Sequence, residues 1–187
     1  IAHGLALAAD GADLVDVGGE STRPGAEPVP VEIELARVMP VVRALVREGV
    51  AVSVDTMKPE VMRQALDAGC AMVNDVNAFR AGGAIAAVAA SGAGLCAMHM
   101  LGTPATMQAD PRYADVVQEV GDYLAERVEA WAAGGVPREA LAVDPGIGFG
   151  KTLAHNLALL AGLPGLGRLG RPVVVGLSRK SMLGALT

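Results

Sequence analysis

Six short apolar runs recur along the chain, each closing on polar residues and each separated from the next by an amphipathic stretch. They are Leu14 to Val17, Ala51 to Val54, Ala71 to Val76, Leu95 to Met98, Leu141 to Val143 and Val173 to Leu177. The runs are continuously apolar rather than alternating, which is the pattern of strands covered on both faces. Helical spacing fills the gaps, over Val31 to Glu48, Pro59 to Ala68, Ala84 to Ser91, Tyr113 to Gly134 and His155 to Leu163. Pro59 suits a first helical turn. Ile1 to Ala9 reads as a further helix ended by Asp10-Gly11, and another begins near Met182. Gly162 to Arg171 reads as a glycine-rich loop. Strands alternating with helices in this way build a parallel sheet.

The residues that end the strands choose between two parallel architectures. The ends are Gly18-Gly19-Glu20-Ser21, Asp55-Thr56, Asn74-Asp75, His99, Asp144 and Ser178-Arg179-Lys180. An open doubly wound sheet uses mainly the strand ends at its switch point, whereas a barrel gathers every strand end around one pocket. All six runs contribute, so the expected fold is a (β/α)₈ barrel forming a single domain over residues 1–187. A complete barrel has eight strands and about 250 residues. With six strands legible, the first strand and the last βα unit are expected to lie outside the sequence.

Composition narrows the partners. The formal net charge is -5 and the pI near 5.2, which argues against a nucleic-acid surface. Hydrophobic residues make up 52% but aromatic residues only 3%, so Ala, Val and Leu must fill the core. Cys70 and Cys96 lie in apolar contexts with no metal-ligand spacing and read as free thiols of a reducing compartment. No run approaches the length of a membrane span and no signal-like segment appears, so the expected location is the cytoplasm.

The densest motif is Asp144-Pro145-Gly146-Ile147-Gly148-Phe149-Gly150-Lys151. It is not a Walker A loop, because Pro145 stands where that pattern needs Gly. It is not G-x-G-x-x-G, because the third Gly would fall on Lys151. It sets a carboxylate at a strand end, followed by glycines that let backbone approach a flat or charged ligand. A carboxylate can accept two parallel N–H bonds, and an Asn side chain offers a donor and an acceptor. Asp55, Asn74 and Asp144 on one rim therefore suit a heterocycle with an amidine-like edge, and Lys180 adds a charge beside a ring carbonyl. Ser21-Thr22-Arg23-Pro24-Gly25 suits an anion such as diphosphate.

Each of these also has a plainer reading. Asp55-Thr56 fits a helix cap before Lys58-Pro59, Asn74-Asp75 fits a turn, and Ser178-Arg179-Lys180 fits a solvated helix start. Asp16 and Glu20 fit buried hydrogen-bonding groups around Gly18-Gly19. His3, His99 and His155 have no zinc spacing and read as packing or surface residues, and Met98, Met100 and Met107 as core filling.

These blocks, taken in order with Ser53-Val54-Asp55-Thr56, Val73-Asn74-Asp75, Met98-His99-Met100 and Ser178-Arg179-Lys180-Ser181, resemble the dihydropteroate synthases over essentially the whole chain. That family is a (β/α)₈ barrel of folate synthesis and the target of sulfonamides. The resemblance implies coupling of 6-hydroxymethyl-7,8-dihydropterin diphosphate to p-aminobenzoate, releasing diphosphate. It implies that Asp144, Asn74, Asp55 and Lys180 contact the pterin and that Gly148, Phe149 and Met98 line its slot. It further implies that Thr22 and Arg23 sit on a mobile loop near the diphosphate and the aminobenzoate, and that Ser181 and Pro24 lie near the aminobenzoate. Asp55, Asp144 and Lys180 would carry the chemistry, with Mg²⁺ on the diphosphate and a homodimer as the assembly. The family's magnesium-binding Asn segment and its C-terminal Arg-x-His segment do not occur in the sequence, so the expected metal-ligand set within it is none, and the chain alone is expected to be inactive. A methyltetrahydrofolate:corrinoid methyltransferase and a non-catalytic pterin-binding homologue are the alternatives. The choice of second substrate separates the enzymes.

Overall fold

The computed structural model describes residues 1–178, 180, 182 and 184. Its strands are β1 (Val15–Gly18), β2 (Val52–Asp55), β3 (Met72–Asp75), β4 (Gly94–Met98) and β5 (Leu141–Asp144). Its helices are α1 (Ala2–Ala9), α2 (Val31–Arg47), α3 (Pro59–Asp67), α4 (Ala84–Val88), α5 (Val116–Ala133) and α6 (Leu153–Leu166). Every neighbouring pair of strands is parallel, and the spatial order is β1-β2-β3-β4-β5. A doubly wound sheet must reverse its order at a switch point. This sheet does not reverse, so it is the arc of a (β/α) barrel.

Register sorts the strand residues into two faces, because side chains alternate and parallel partners point the same way. Asp55 pairs with Gly18 and Asn74, Asn74 with Cys96, and Met98 with Asp144. These residues therefore share the inner face with Asp16 and Ser53. Val52, Val54, Val73, Leu95, Ala97, Leu141 and Val143 share the outer face and are buried against the helices. Their partners are Val38, Val42 and Leu45 of α2, Val61 and Met62 of α3, Leu124 and Trp131 of α5, and Leu159 of α6. With few aromatic residues available, one edge-to-face pair, Phe79 with Trp131 at 5.4 Å, anchors this layer.

Four expected boundaries change. The run Val173 to Leu177 is not a strand but a single bridge from Val173 to Val143. Val143 donates to Pro172 and Val174 donates to Val143, but Pro145, following β5, has no N–H to continue the ladder. Helix α4 stops at Val88, whose carbonyl accepts the Ser91 hydroxyl at 2.7 Å. Helix α5 begins after Tyr113, because Asp115 caps it by accepting from the N–H groups of Val117 and Gln118. Residues 162–166 are helical rather than loop: Gly162 lies so close to α5 that a Cβ there would sit 2.8 Å from Val117 Cγ1, and Leu166 is fully buried.

Candidate active site

At the C-terminal ends of β2 and β3 the structure separates polar groups that hold the turns from polar groups that face the inner side. Thr56 takes the turn-forming role: its hydroxyl donates to Glu34 and accepts from the Lys58 N–H. Asp55 is left facing the inner side, with a buried Oδ1 that has no partner among the described residues. Asp75 is likewise structural. It is fully buried and accepts the N–H groups of Asn77 and Phe79, both at 2.7 Å, which holds Ala78 and Phe79 at positive φ. Asn74 faces the inner side and reaches Asp16 Oδ2 at 3.4 Å. Each doublet thus divides its work between two residues.

Burial and crowding set the electrostatics of this inner face. Desolvation, then repulsion by Asp16, Asp75, Glu34 and Glu20, pushes Asp55 up to about 7. Desolvation also raises Asp144 to about 6, against its hydrogen bond from Gly146 and the ammonium groups of Lys180 and Lys151. The carboxyl of Asp16 is raised mainly by desolvation too, although its side chain keeps solvent contact. Carboxyl groups on one inner face, with Asp16 and Asp55 on adjoining strands and Asp144 across the arc on β5, form a site that suits a cationic or N–H-rich partner.

Asp144 Oδ1 accepts the Gly146 N–H at 2.6 Å, which fixes the carboxylate's orientation. The three alternating glycines then all adopt positive φ, at 68°, 81° and 66° for Gly146, Gly148 and Gly150. The pattern sends Ile147 into the main core and Phe149 to a separate cluster of Val76, Met98, Met100 and Met107. Close approach is also to protein rather than only to ligand. A Cβ on Gly146 would lie 1.9 Å from the His99 carbonyl oxygen, and one on Gly150 2.6 Å from Leu101 Cβ. The glycine loop is pressed onto the segment that follows β4.

Two side chains that sequence reading missed hold Gly148 from both sides. Its N–H donates to Asn156 Oδ1, and its carbonyl accepts from Gln108, each at 2.8 Å. An Asn buried in the apolar helix stretch Leu153 to Leu160 was the available signal; Gln108, in a loop, gave none. Lys151 was also missed. It is buried, and its Nζ lies 2.9 Å from His99 Nδ1 and donates to the Phe149 carbonyl at 3.0 Å. Burial pulls Lys151 down to about 7, and burial with the neighbouring ammonium pulls His99 down to about 3. His99 is thus a neutral packing residue, edge-on to Tyr123 at 4.9 Å. His155 completes a capping box with Thr152, and His3 is exposed.

The mouth is a cavity of about 950 Å³ lined by Thr22, Arg23, Gly148, Phe149, Ser178 and Lys180, among others. Lys180 lies over the Phe149 ring, its Nζ 4.2 Å from the centroid. Burial lowers the Lys180 pKa while Asp144 opposes the shift. The expected residues therefore fall into two groups. Asp55, Asn74, Met98 and Asp144 share the inner strand face, and Thr22, Arg23, Gly148, Phe149 and Lys180 share the mouth. Asp144 and Lys180 join the groups electrostatically. Ser181 and Arg179 lie outside the described residues. Among the described residues, no group of three or more His, Cys, Asp or Glu stands where it would hold a metal ion.

The sequence model of the family described as pterin-binding enzymes matches residues 1–187. Dihydropteroate synthase of Escherichia coli K12 is 47% identical over 187 residues, covering all of this chain, which spans 66% of that protein's length. The structure superposes on Xanthomonas albilineans dihydropteroate synthase with 4-aminobenzoic acid at a TM-score of 0.93 and 53% identity, covering 99% of this chain and 66% of that one. It also superposes on Burkholderia cenocepacia dihydropteroate synthase complexed with 7,8-dihydropteroate, at a TM-score of 0.91 and 54% identity, covering 97% of this chain and 68% of that one. With a barrel arc whose inner strand ends carry Asp55, Asn74 and Asp144, and a match along its whole length, the chain belongs to the pterin-binding enzyme family.

Proposed function

We propose that the protein is a dihydropteroate-forming transferase of folate synthesis, joining 6-hydroxymethyl-7,8-dihydropterin diphosphate to p-aminobenzoate. The observation that carries this reading is the unpartnered, desolvated Asp55 carboxyl on the same strand face as Asn74 and Asp144. The pterin's amino-pyrimidine edge offers paired N–H groups to Asp144, whose carboxylate the Gly146 N–H already holds in place. Asn74 and Asp55 complete the ring contacts, Met98, Gly148 and Phe149 wall the slot, and Lys180 approaches the ring from above Phe149. The aminobenzoate occupies the mouth near Thr22 and Arg23.

In the reaction the C–O bond to diphosphate breaks and its electron pair leaves with the diphosphate. The carbocation that remains is delocalised into the pterin. Asp144 and the ionised form of Asp55 stabilise it, because negative charge on them is preorganised where positive charge develops. The aromatic amine then forms the C–N bond and loses a proton to solvent, a step that needs positioning more than a strong base. Relatives described with 4-aminobenzoic acid and with 7,8-dihydropteroate support this choice of substrate and product. Magnesium on the diphosphate is part of the proposal, but the described residues give it no ligand set, and no step here depends on it. Single-domain organisation over 1–187, a homodimeric assembly and a cytoplasmic location complete the reading. No helix among the described residues is long and apolar enough to cross a membrane.

The test is an assay of the full gene product with pterin diphosphate, p-aminobenzoate and Mg²⁺. The expected outcome is stoichiometric dihydropteroate and diphosphate. Methyl transfer to a corrinoid protein without use of p-aminobenzoate would replace this reading, and pterin binding without turnover would reduce it to a binding protein.

A further inference from the structure

The loop that carries Thr22 and Arg23 is closed at its neck by a single carboxylate. Glu20 Oε2 accepts the Val29 N–H at 2.6 Å, so one oxygen ties the two ends of residues 20–29. The same oxygen accepts from Lys58 Nζ at 2.6 Å. Lys58 donates in addition to Glu34 Oε2, and Glu34 Oε1 accepts the Thr56 hydroxyl at 2.5 Å. Glu34 is 0% exposed, and the Lys58 and Glu20 side chains are 19% and 9% exposed. A charge pair this well shielded is held firmly, since losing either partner strands the other in low dielectric. Burial alone would lower Lys58, yet its bonds to Glu20 and Glu34 outweigh that and hold it protonated above the usual lysine range. The approach to the neck is equally constrained. Gly19 presses on α2, where a Cβ would lie 2.7 Å from Val38 Cγ2, and Arg37 donates to the Gly19 carbonyl.

Beyond the neck the loop has few hydrogen bonds to the other described residues. Within residues 21–28 the backbone contact to another element is Gly25 N–H to the Pro104 carbonyl, at 3.2 Å. Lys58 lies three residues after Asp55, so it joins the loop's neck to the strand that carries the inner carboxylate. We infer that Lys58 is a positioning residue: by gripping Glu20 it fixes the neck of the loop and so places Thr22 and Arg23 over the mouth. Its part in turnover rests on the function proposed above; its part in ordering the loop does not.

A purely structural role for Lys58, as counter-ion to Glu34 in the core, gives a different outcome in one double variant. The measurements are amide hydrogen exchange and steady-state kinetics on the full gene product, comparing wild type, Lys58→Met and Lys58→Met/Glu34→Gln. Residues 21–29, Val29 above all, should exchange about ten-fold faster in Lys58→Met, as expected for the loss of a charge-assisted anchor, while α5 keeps its protection. The double variant should recover global stability yet keep the fast loop, because Glu20 still lacks its grip. KM for p-aminobenzoate should rise about five- to ten-fold in both with pterin affinity unchanged, the signature of lost positioning at one substrate only. If the single variant does not fold, the double variant decides alone. Wild-type protection at Val29 in either variant overturns the inference. Fast loop exchange in a protein that never couples p-aminobenzoate would leave the inference standing and remove the proposed function instead.

Discussion

On the helix side of the sheet, Val52, Val54, Val73, Leu95 and Val143 are almost fully buried against α2, α3, α5 and α6. On the other side of the same strands stand Asp16, Ser53, Asp55, Asn74 and Asp144, with Asp55 Oδ1 left without a partner among the described residues. The first face gains free energy by removing apolar area from water; the second loses it by desolvating acids beside one another. A chain keeps so costly a face only when something other than folding selects it. The division also assigns tasks: substitutions on the helix side should change stability, and substitutions on the inner side should change ligand binding and pH dependence.

The largest effect should come from the helix side. Leu124→Ala, at a fully buried position of α5, should cost about 2–5 kcal/mol of stability. Denaturant unfolding measures it, and pterin affinity in the folded variant should match wild type. Equal damage to affinity would mean that the two faces are not separable.

Next comes the pH response of the inner side. Asp55 is raised to about 7 and Asp144 to about 6, so the folded protein retains protons that the unfolded chain has released above about 4. Stability from this source is therefore highest near pH 4 and falls as pH rises through 7. Asp55→Asn should flatten the upper part of that fall, and unfolding midpoints between pH 4.5 and 8 check it. A fall between pH 4.5 and 8 as steep in Asp55→Asn as in wild type would contradict the assignment, because His99, held down to about 3, adds an opposite slope that both proteins share.

The smallest effect belongs to the mouth. Lys180→Ala removes a cation from Phe149 and, in the proposed reaction, from beside the pterin, and should lower turnover about ten-fold with little change in unfolding midpoint. A loss of stability as large as that of Leu124→Ala would move Lys180 into the scaffold.

Much of the arrangement was legible because polar residues at strand ends are visible without knowing the register. Asp55, Asn74 and Asp144 stood out in this way, and six candidate strand ends sufficed to favour a barrel. What was not legible depends on contacts distant in sequence. The strand runs looked uniformly apolar because Cys96, Met98 and Ala142 fill inner positions that a stricter alternation would give to polar residues. The doublets Asp55-Thr56 and Asn74-Asp75 could not be divided before Glu34, Asn77 and Phe79 were placed beside them. The sixth run failed as a strand because of Pro145 in its neighbour's continuation, and Lys58 looked like an ordinary residue before a helix until Glu20 and Glu34 met it.

The most direct test of the central claim is calorimetric titration of a pterin into the full gene product and its Asp144→Asn variant. The exchange keeps the size of the side chain but substitutes an amide for the carboxylate that would face paired N–H groups. The account predicts an unfolding midpoint close to wild type and a loss of about 2–3 kcal/mol in binding free energy, the scale of a mismatched charged hydrogen bond. Unchanged pterin affinity in a folded variant would contradict it, because the inner acidic face would then serve something other than the pterin.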